Sequence, residues 1–460
     1  MSQRGRHRRR KKGRVLRATL SGAALALTAA ATIISTSQAA GSDNPGPLTP
    51  VTSSAEIGRL QLRENLADGT ALDRLTGAMG GPVGVDTVLD GADHPMRNRA
   101  DCDAGESAAL PVEPAATRAY CWDGGDATTQ EWRPQSVTTS GDADRDGRWG
   151  DDRVILAGWT RAASAADASA GEEGLARVAF IDASDPDALR YRWVLLVAPT
   201  ADGEDFAPVH SRLGGMVWYQ DKLITTAGDG TGPDDALLVF DMNRILRADA
   251  GGAGVGRSGD HWSADGHRYV LPAVGSYDLP GGTCRARDND ARPCFASLSL
   301  DRTSTPDSLV ANEWFSPGGG EHARIWRYDY STAGGRTGLL AGTARGVVNA
   351  DEAYETEAVG LQGVLSHRPD GADAADWYTG HTPGGSDRNG TLWRQNESTA
   401  KAARCGSDPT YACWGRHTES LSYWQETGEL WTLSGRAARG DDTGRVLYAV
   451  PLADVDGSVE

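Results

Sequence analysis

Gly214-Gly215-Met216-Val217-Trp218-Tyr219, followed by Lys222-Leu223-Ile224-Thr225-Thr226 and then Ala236-Leu237-Leu238-Val239-Phe240-Asp241, decides how the rest of this 460-residue chain is read. Short alternating apolar runs separated by polar turns make an antiparallel meander, and a small residue just before the first run marks a strand entering a crowded place. The same phrase recurs at Gln135-Ser136-Val137, Ala296-Ser297-Leu298, Gln362-Gly363-Val364 and Glu419-Ser420-Leu421. From Ser136 onward the small residues lie 79, 82, 66 and 57 positions apart, room each time for four strands and their loops. Recurrence at blade length predicts an all-β fold, a single β-propeller of five four-stranded blades with short N-terminal helices.

Outward from the quoted stretch, Arg268–Val274 completes its unit, and the unit before it reads Ser136–Thr139, Arg153–Trp159, Ala176–Ile181 and Tyr191–Val197. The third runs Ser297–Leu300, Ser308–Trp314, Ala323–Tyr330 and Tyr354–Val359; the fourth runs Gly363–His367, Asp376–Gly380, Thr391–Arg394 and Tyr411–Trp414. The fifth offers only Leu421–Trp424, Glu429–Leu433 and Arg445–Val450. A ring must close to remove its sheet edges, so the missing outer strand is expected from within residues 81–134. Six blades is the alternative if those residues build a blade of their own, and a β-sandwich is the alternative to a propeller. Inserts at 161–175, 247–266 and 331–350 belong on the faces of the disc.

Ahead of the blades, residues 1–39 read as a secretory leader: nine Arg and Lys residues, an apolar stretch from Val15 to Ile34, and Ser37-Gln38-Ala39 at the cleavage site. A retained membrane anchor is the alternative. Residues 40–80 are expected to be a flexible lead-in followed by one or two short helices between Ser54 and Met79, and residues 81–460 the propeller domain. Removing a leader with nine basic and no acidic residues from 46 basic and 63 acidic leaves 37 against 63, a net charge of −26. Such a surface repels phosphate backbones and anionic headgroups, which disfavours nucleic-acid and membrane partners and favours cationic or neutral guests. An extracellular, secreted monomer is the expected form.

The six cysteines fall into local pairs, Cys102 with Cys121, Cys284 with Cys294 and Cys405 with Cys413. An even count in an exported chain favours disulfides, and closing short loops costs the least entropy. No pair has the C-x-x-C spacing of a zinc site. The sequence also lacks G-x-S-x-G, H-E-x-x-H and a glycine-rich loop ending in Lys.

The sharpest local signal is Gly141-Asp142-Ala143-Asp144-Arg145-Asp146-Gly147 with Asp151 and Asp152 behind it. Alternating carboxylates on a tight loop suit a hard cation, so calcium is the expected cofactor there, the bland reading being a solvated turn. The phrase is similar to EF-hand and integrin-type loops, but Arg153 stands where an EF-hand has Glu and Gly150 where the integrin-type loop has an acid. A second candidate is an axial pocket built from residues beside the start phrases, Gln135, Gln362 and Glu419, with His210 and His417 in the preceding loops. It would bind a metal or use Glu419 as a general base with a histidine partner. The alternative is that these groups cap strand ends. The aromatic residues within strands read as packing between blades rather than a sugar platform.

From His210 to Arg247, and again at Pro134–Thr139 and Glu429–Thr432, the chain resembles exported actinobacterial propeller proteins of uncharacterised function, a likeness spanning residues 130–453. More distantly the start phrases are similar to the NHL and gluconolactonase-like propellers, in which a Glu opening a blade binds a metal; Glu419 is the residue that corresponds. The sequence therefore leads to a secreted, disulfide-bonded propeller acting as a binding or scaffold module and stabilised by calcium. A metal-dependent hydrolase or lyase working in the axial pocket is the rival. Substrate and partner are not readable.

Overall fold

Five antiparallel meanders stand around one axis in the computed structural model, which describes residues 44–162, 174–227, 235–252, 254–280, 293–315, 322–383, 388–406, 410–435 and 444–459. The first blade is Trp132–Thr139, Val154–Arg161, Ala176–Asp182 and Arg190–Pro199. The second is Met216–Tyr219, Lys222–Thr226, Asp235–Asp241 and Tyr269–Asp278. The third is Ser297–Asp301, Ser308–Asn312, Ala323–Asp329 and Glu352–Thr356. The fourth is Leu361–His367, Asp376–His381, Thr391–Gln395 and Ala400–Lys401. The fifth is Thr418–Trp424, Glu429–Ser434 and Val446–Pro451, and its outer strand is Arg118–Cys121, returned from the N-terminal part of the chain.

Every seam between first strands carries a contact that needs a small or hydroxyl side chain. The Trp218 amide donates to Thr138 Oγ1 at 2.9 Å, joining the first and second blades. A Cβ on Gly215 would lie 2.2 Å from the Leu298 nitrogen, joining the second and third. Ser366 Oγ donates to Asp301 Oδ2 at 2.7 Å across the third and fourth. A Cβ on Gly363 would lie 2.9 Å from Leu421 Cγ, joining the fourth and fifth. The Val137 amide donates to Ser420 Oγ at 2.8 Å and returns the ring to its start. Residues 81–134, which would have built a sixth blade, give the fifth its last strand instead, and Arg97–Asn98 pairs outside it.

The core lies between sheets rather than along the axis: Trp159, Trp218, Trp326, Trp377 and Trp414 are all buried, each filling the wedge that widens outward between blades. The first and second blades are further joined by a parallel pairing of Leu195–Val197 with Val270–Pro272.

Three expectations need correction. The described part of the lead-in is stitched to the blades: Leu48 is buried, and Thr49–Pro50 pairs with Tyr354 and Glu355, because an outer strand leaves unpaired backbone groups that a passing segment can satisfy. The helical rhythm from Ser54 to Met79 is interrupted by a strand, Leu62–Leu66, which pairs with Gly275–Asp278; helix is confined to Ser54–Ile57, Gly58–Leu60 and Gly69–Ala78, the last capped by Asp68. The fourth blade ends on Ala400–Lys401, not on Tyr411–Trp414, because the Cys405–Cys413 disulfide folds that stretch into a closed loop. Cys102–Cys121 is also formed and ties the closing strand to its neighbour. Cys284 and the leader, residues 1–39, lie outside the described residues. Among those described, no helix is long and apolar enough to cross a membrane.

Candidate functional site

The inner strands begin at one mouth of the axis, and there Gln362 and Glu419 meet. In the amide orientation that pairs donors with acceptors, Gln362 Nε2 donates to Glu419 Oε2 at 3.2 Å and to the Thr418 carbonyl at 3.3 Å. Gly435 backs the carboxyl so closely that a Cβ would lie 3.0 Å from Glu419 Oε1 and 2.4 Å from the Pro134 carbonyl. Gln135 Nε2 turns onto that same Pro134 carbonyl at 3.0 Å. His417 sits just ahead in a left-handed conformation, φ 47°, with its carbonyl accepting from the Gly435 amide. His210 bridges to Leu175 at the edge of the first blade. Among the described residues, none of the three-ligand groupings whose atoms lie within 4.8 Å of one another includes His210, His417 or Glu419.

Burial pushes the Glu419 carboxyl up to about 8, with Arg212 pulling the other way. Burial favours the neutral, proton-donating form of this group, and the Gln362 amide that donates to it opposes that preference. The linkage has a definite sign. The folded state holds the proton more tightly than the unfolded chain, so the stability contributed by Glu419 is full below the ordinary Glu range and is lost as pH rises through about 8. Discounted for partial exposure, about 1–2 kcal/mol should disappear between pH 6 and pH 9. Urea denaturation of the wild type and of Glu419→Gln checks it: the variant should lack that slope, and parallel profiles would refute the assignment.

At the opposite mouth the aspartate loop is held by the blades. Asp142 is buried in the short helix Ser140–Ala143, and its Oδ2 accepts from Thr138 Oγ1 and from Ser422 Oγ, both at 2.7 Å. Burial raises its carboxyl to about 6 against the pull of those hydroxyls and of Arg302. The loop glycines serve close approach: a Cβ on Gly141 would lie 2.4 Å from Trp424 Cδ1, and one on Gly147 2.6 Å from Trp424 Nε1. Asp144 and Asp146 face solvent, and Asp146 Oδ1 accepts from the Arg148 amide at 2.9 Å. Asp151 is exposed, and the Asp152 carboxyl is pushed up by burial and by Asp182 and Asp151. Asp142, Asp144, Asp146, Asp151 and Asp152 supply no three-ligand grouping among the described residues. One oxygen of the first acid of that loop, Asp142 Oδ2, is turned onto two axial hydroxyls.

A third place was not read from the sequence. Between the third and fourth blades, on the face where the inner strands end, lies a cavity of about 730 Å³. Its wall holds Asp301, Asp329, Asp351, Glu352, Asp373, Asp376 and Glu397 against two arginines, Arg327 and Arg368. In a meander the ends of strands one and three and the starts of two and four share a face. Asp301, Asp329, Asp376 and Glu352 occupy those positions. The available signal was the acid closing a third strand, at Tyr328-Asp329 as at Ile181-Asp182 and Phe240-Asp241.

Both arginines are already engaged. Buried Arg327 donates from Nη1 to Asp301 Oδ2 and from Nη2 to Ser366 Oγ, both at 3.0 Å, with Nε 2.9 Å from Glu352 Oε2 and the guanidinium 4.8 Å above the Trp377 ring. Arg368 donates to the Thr303 carbonyl at 2.7 Å. The Tyr354 hydroxyl donates to Glu352, with Glu397 Oε1 3.3 Å away. Asp376 accepts from Asn396 at 2.8 Å. Burial and then the charge of Asp351 push the Asp329 carboxyl up, with Arg327 opposing.

No protein-family model matches the chain, and no curated protein is similar to it. Solved structures show a weak likeness. A GH43_1 enzyme from Xanthomonas citri is similar at 9% identity and a TM-score of 0.32, covering 76% of this chain and 93% of that one. Drosophila Plexin A in complex with Semaphorin 1b gives 10%, 0.24, 71% and 88%, and Drosophila Semaphorin 1b, extracellular domains 1-2, gives 11%, 0.22, 69% and 78%. At these scores no residue or activity carries over, and the propeller rests on the strand pairing and on the closed ring of inner strands.

Proposed function

We propose that this propeller is an exported binding module that takes a small ligand in the cavity between its third and fourth blades. The observation that carries the reading is the cavity itself: about 730 Å³, within the range of small-molecule sites, with polar groups held in place by the Asp301–Arg327–Ser366 network. Two disulfides fit an oxidising compartment. The rival, a metal-dependent hydrolase at the axis, needs His210, His417 and Glu419 to converge on one ion, and the geometry gives it no support. The test is a ligand screen by thermal shift with a rim-blocked variant, Ser398→Trp. A true ligand at about 100 times its Kd stabilises the wild type by about 2.7 kcal/mol and leaves the variant unmoved. Shifts identical in both proteins would remove the cavity from consideration.

Calcium at the aspartate loop would have to draw on Asp144, Asp146, Asp151 and Asp152 without Asp142. Melting curves with and without a chelator are expected to coincide. A loss of several degrees on chelation would instead assign the fold a structural ion.

A further inference from the structure

We infer that the ligand of this cavity is an organic polyamine, with separated ammonium groups that meet separate carboxylates. The inference rests on the binding reading above and adds the chemistry of the guest. Charge selects the class: seven acids against two arginines make the wall strongly negative, and buried Arg327 is already paired with Asp301 and Glu352, so the wall repels a phosphate or carboxylate ligand and attracts a cation. The carboxylates of Asp329, Asp351 and Asp373 accept no hydrogen bond and join no ion pair among the described residues. Spacing then separates an organic cation from a metal ion. No three of the lining carboxylates bring oxygens within 4.8 Å of one another, so they form no three-carboxylate cage for one ion, whereas a chain bearing several ammonium groups reaches them one at a time. The cavity also far exceeds a single ion's needs. Sugar stacking is closed off because Trp377 and Tyr354 are buried and Arg327 already covers the Trp377 ring.

The experiment is calorimetric titration of the full protein with spermidine at about 50 mM salt, repeated at about 300 mM, where screening should weaken a multivalent cation. The double variant Asp329→Asn/Asp351→Asn should bind at least about tenfold more weakly, near 1.4 kcal/mol. Asp260→Asn, an exposed acid outside the cavity lining, should bind like the wild type. If the double variant does not fold, Asp373→Asn on an exposed turn carries the same comparison. No spermidine binding to the wild type overturns the inference, as does equal weakening by Asp260→Asn, which would mean diffuse attraction, or displacement by calcium at equal concentration, which would mean a metal site. An uncharged ligand that Ser398→Trp excludes, found where spermidine fails, would sink the polyamine alone and leave the binding module standing. Spermidine binding unaffected by Ser398→Trp would sink the cavity as the site.

Discussion

Asp126→Ala is expected to destabilise the protein by about 3–5 kcal/mol, the loss that follows when a buried ion pair is broken and its partner stays charged. Asp126 Oδ1 accepts from Arg177 Nη2 at 2.9 Å, while Oδ2 accepts from the Tyr191 hydroxyl at 2.7 Å and from Trp193 Nε1 at 3.0 Å. Arg177 is 7% exposed and lies between the rings of Trp193 and Trp132, 3.6 and 4.0 Å from their centroids; burial lowers its guanidinium to about 10 despite the Asp126 charge. Arg445 Nη1 donates to the Asp126 carbonyl at 2.8 Å, so the N-terminal segment, the first blade and the fifth meet at one residue. Urea denaturation measures the loss. Because Asp126→Asn loses the charge and keeps one acceptor oxygen, while setting an NH2 donor against the donors that faced the other, it should recover only part of the alanine loss; an alanine cost below about 1 kcal/mol would show that this hub does not hold the ring shut.

Gly215→Ala should be nearly as damaging, although it adds one methyl group. The new Cβ would sit 2.2 Å from the Leu298 nitrogen and 2.7 Å from the Ser297 carbonyl carbon, both backbone atoms of the next blade's inner strand. Backbone cannot rotate aside as a side chain can, so the seam must open, at a cost of about 3 kcal/mol or more. Gly457→Ala, where nothing lies within 4 Å of the added carbon, is the matched control and should be within about 0.5 kcal/mol of wild type. Equal behaviour of the two variants would argue against a crowded axis.

The inner strands were legible because crowding acts on residue type: small residues suit a seam where a neighbouring backbone stands within contact distance, and at Gly215, Gly363 and Ser420 that leaves a mark at the blade start, whereas Thr138 and Ser366 act nearer the strand ends. The second and third strands follow from alternation. Outer strands were less legible because two paired residues suffice, as in Ala400–Lys401, and pairing so short leaves no period. Closure from residues 81–134 followed from the missing edge, but Arg118–Cys121 carries no pattern of its own. At the candidate sites, the meeting of Gln362 and Glu419 was readable because both open consecutive blades. The fate of Asp142 was not, since one of its partners, Ser422, is 280 residues away. The acidic cavity was hidden for a similar reason: its carboxylates come one by one from strand ends, and only the topology collects them.

Completion of the fifth blade by Arg118–Cys121 is the claim on which the ring, both mouths of the axis and the cavity depend. Peptide-resolved hydrogen–deuterium exchange tests it most directly. Residues 118–121 should exchange as slowly as residues 446–450 of the strand beside them in the sheet. Rapid exchange at 118–121 beside lasting protection at 446–450 would leave the last blade open and contradict the fold described.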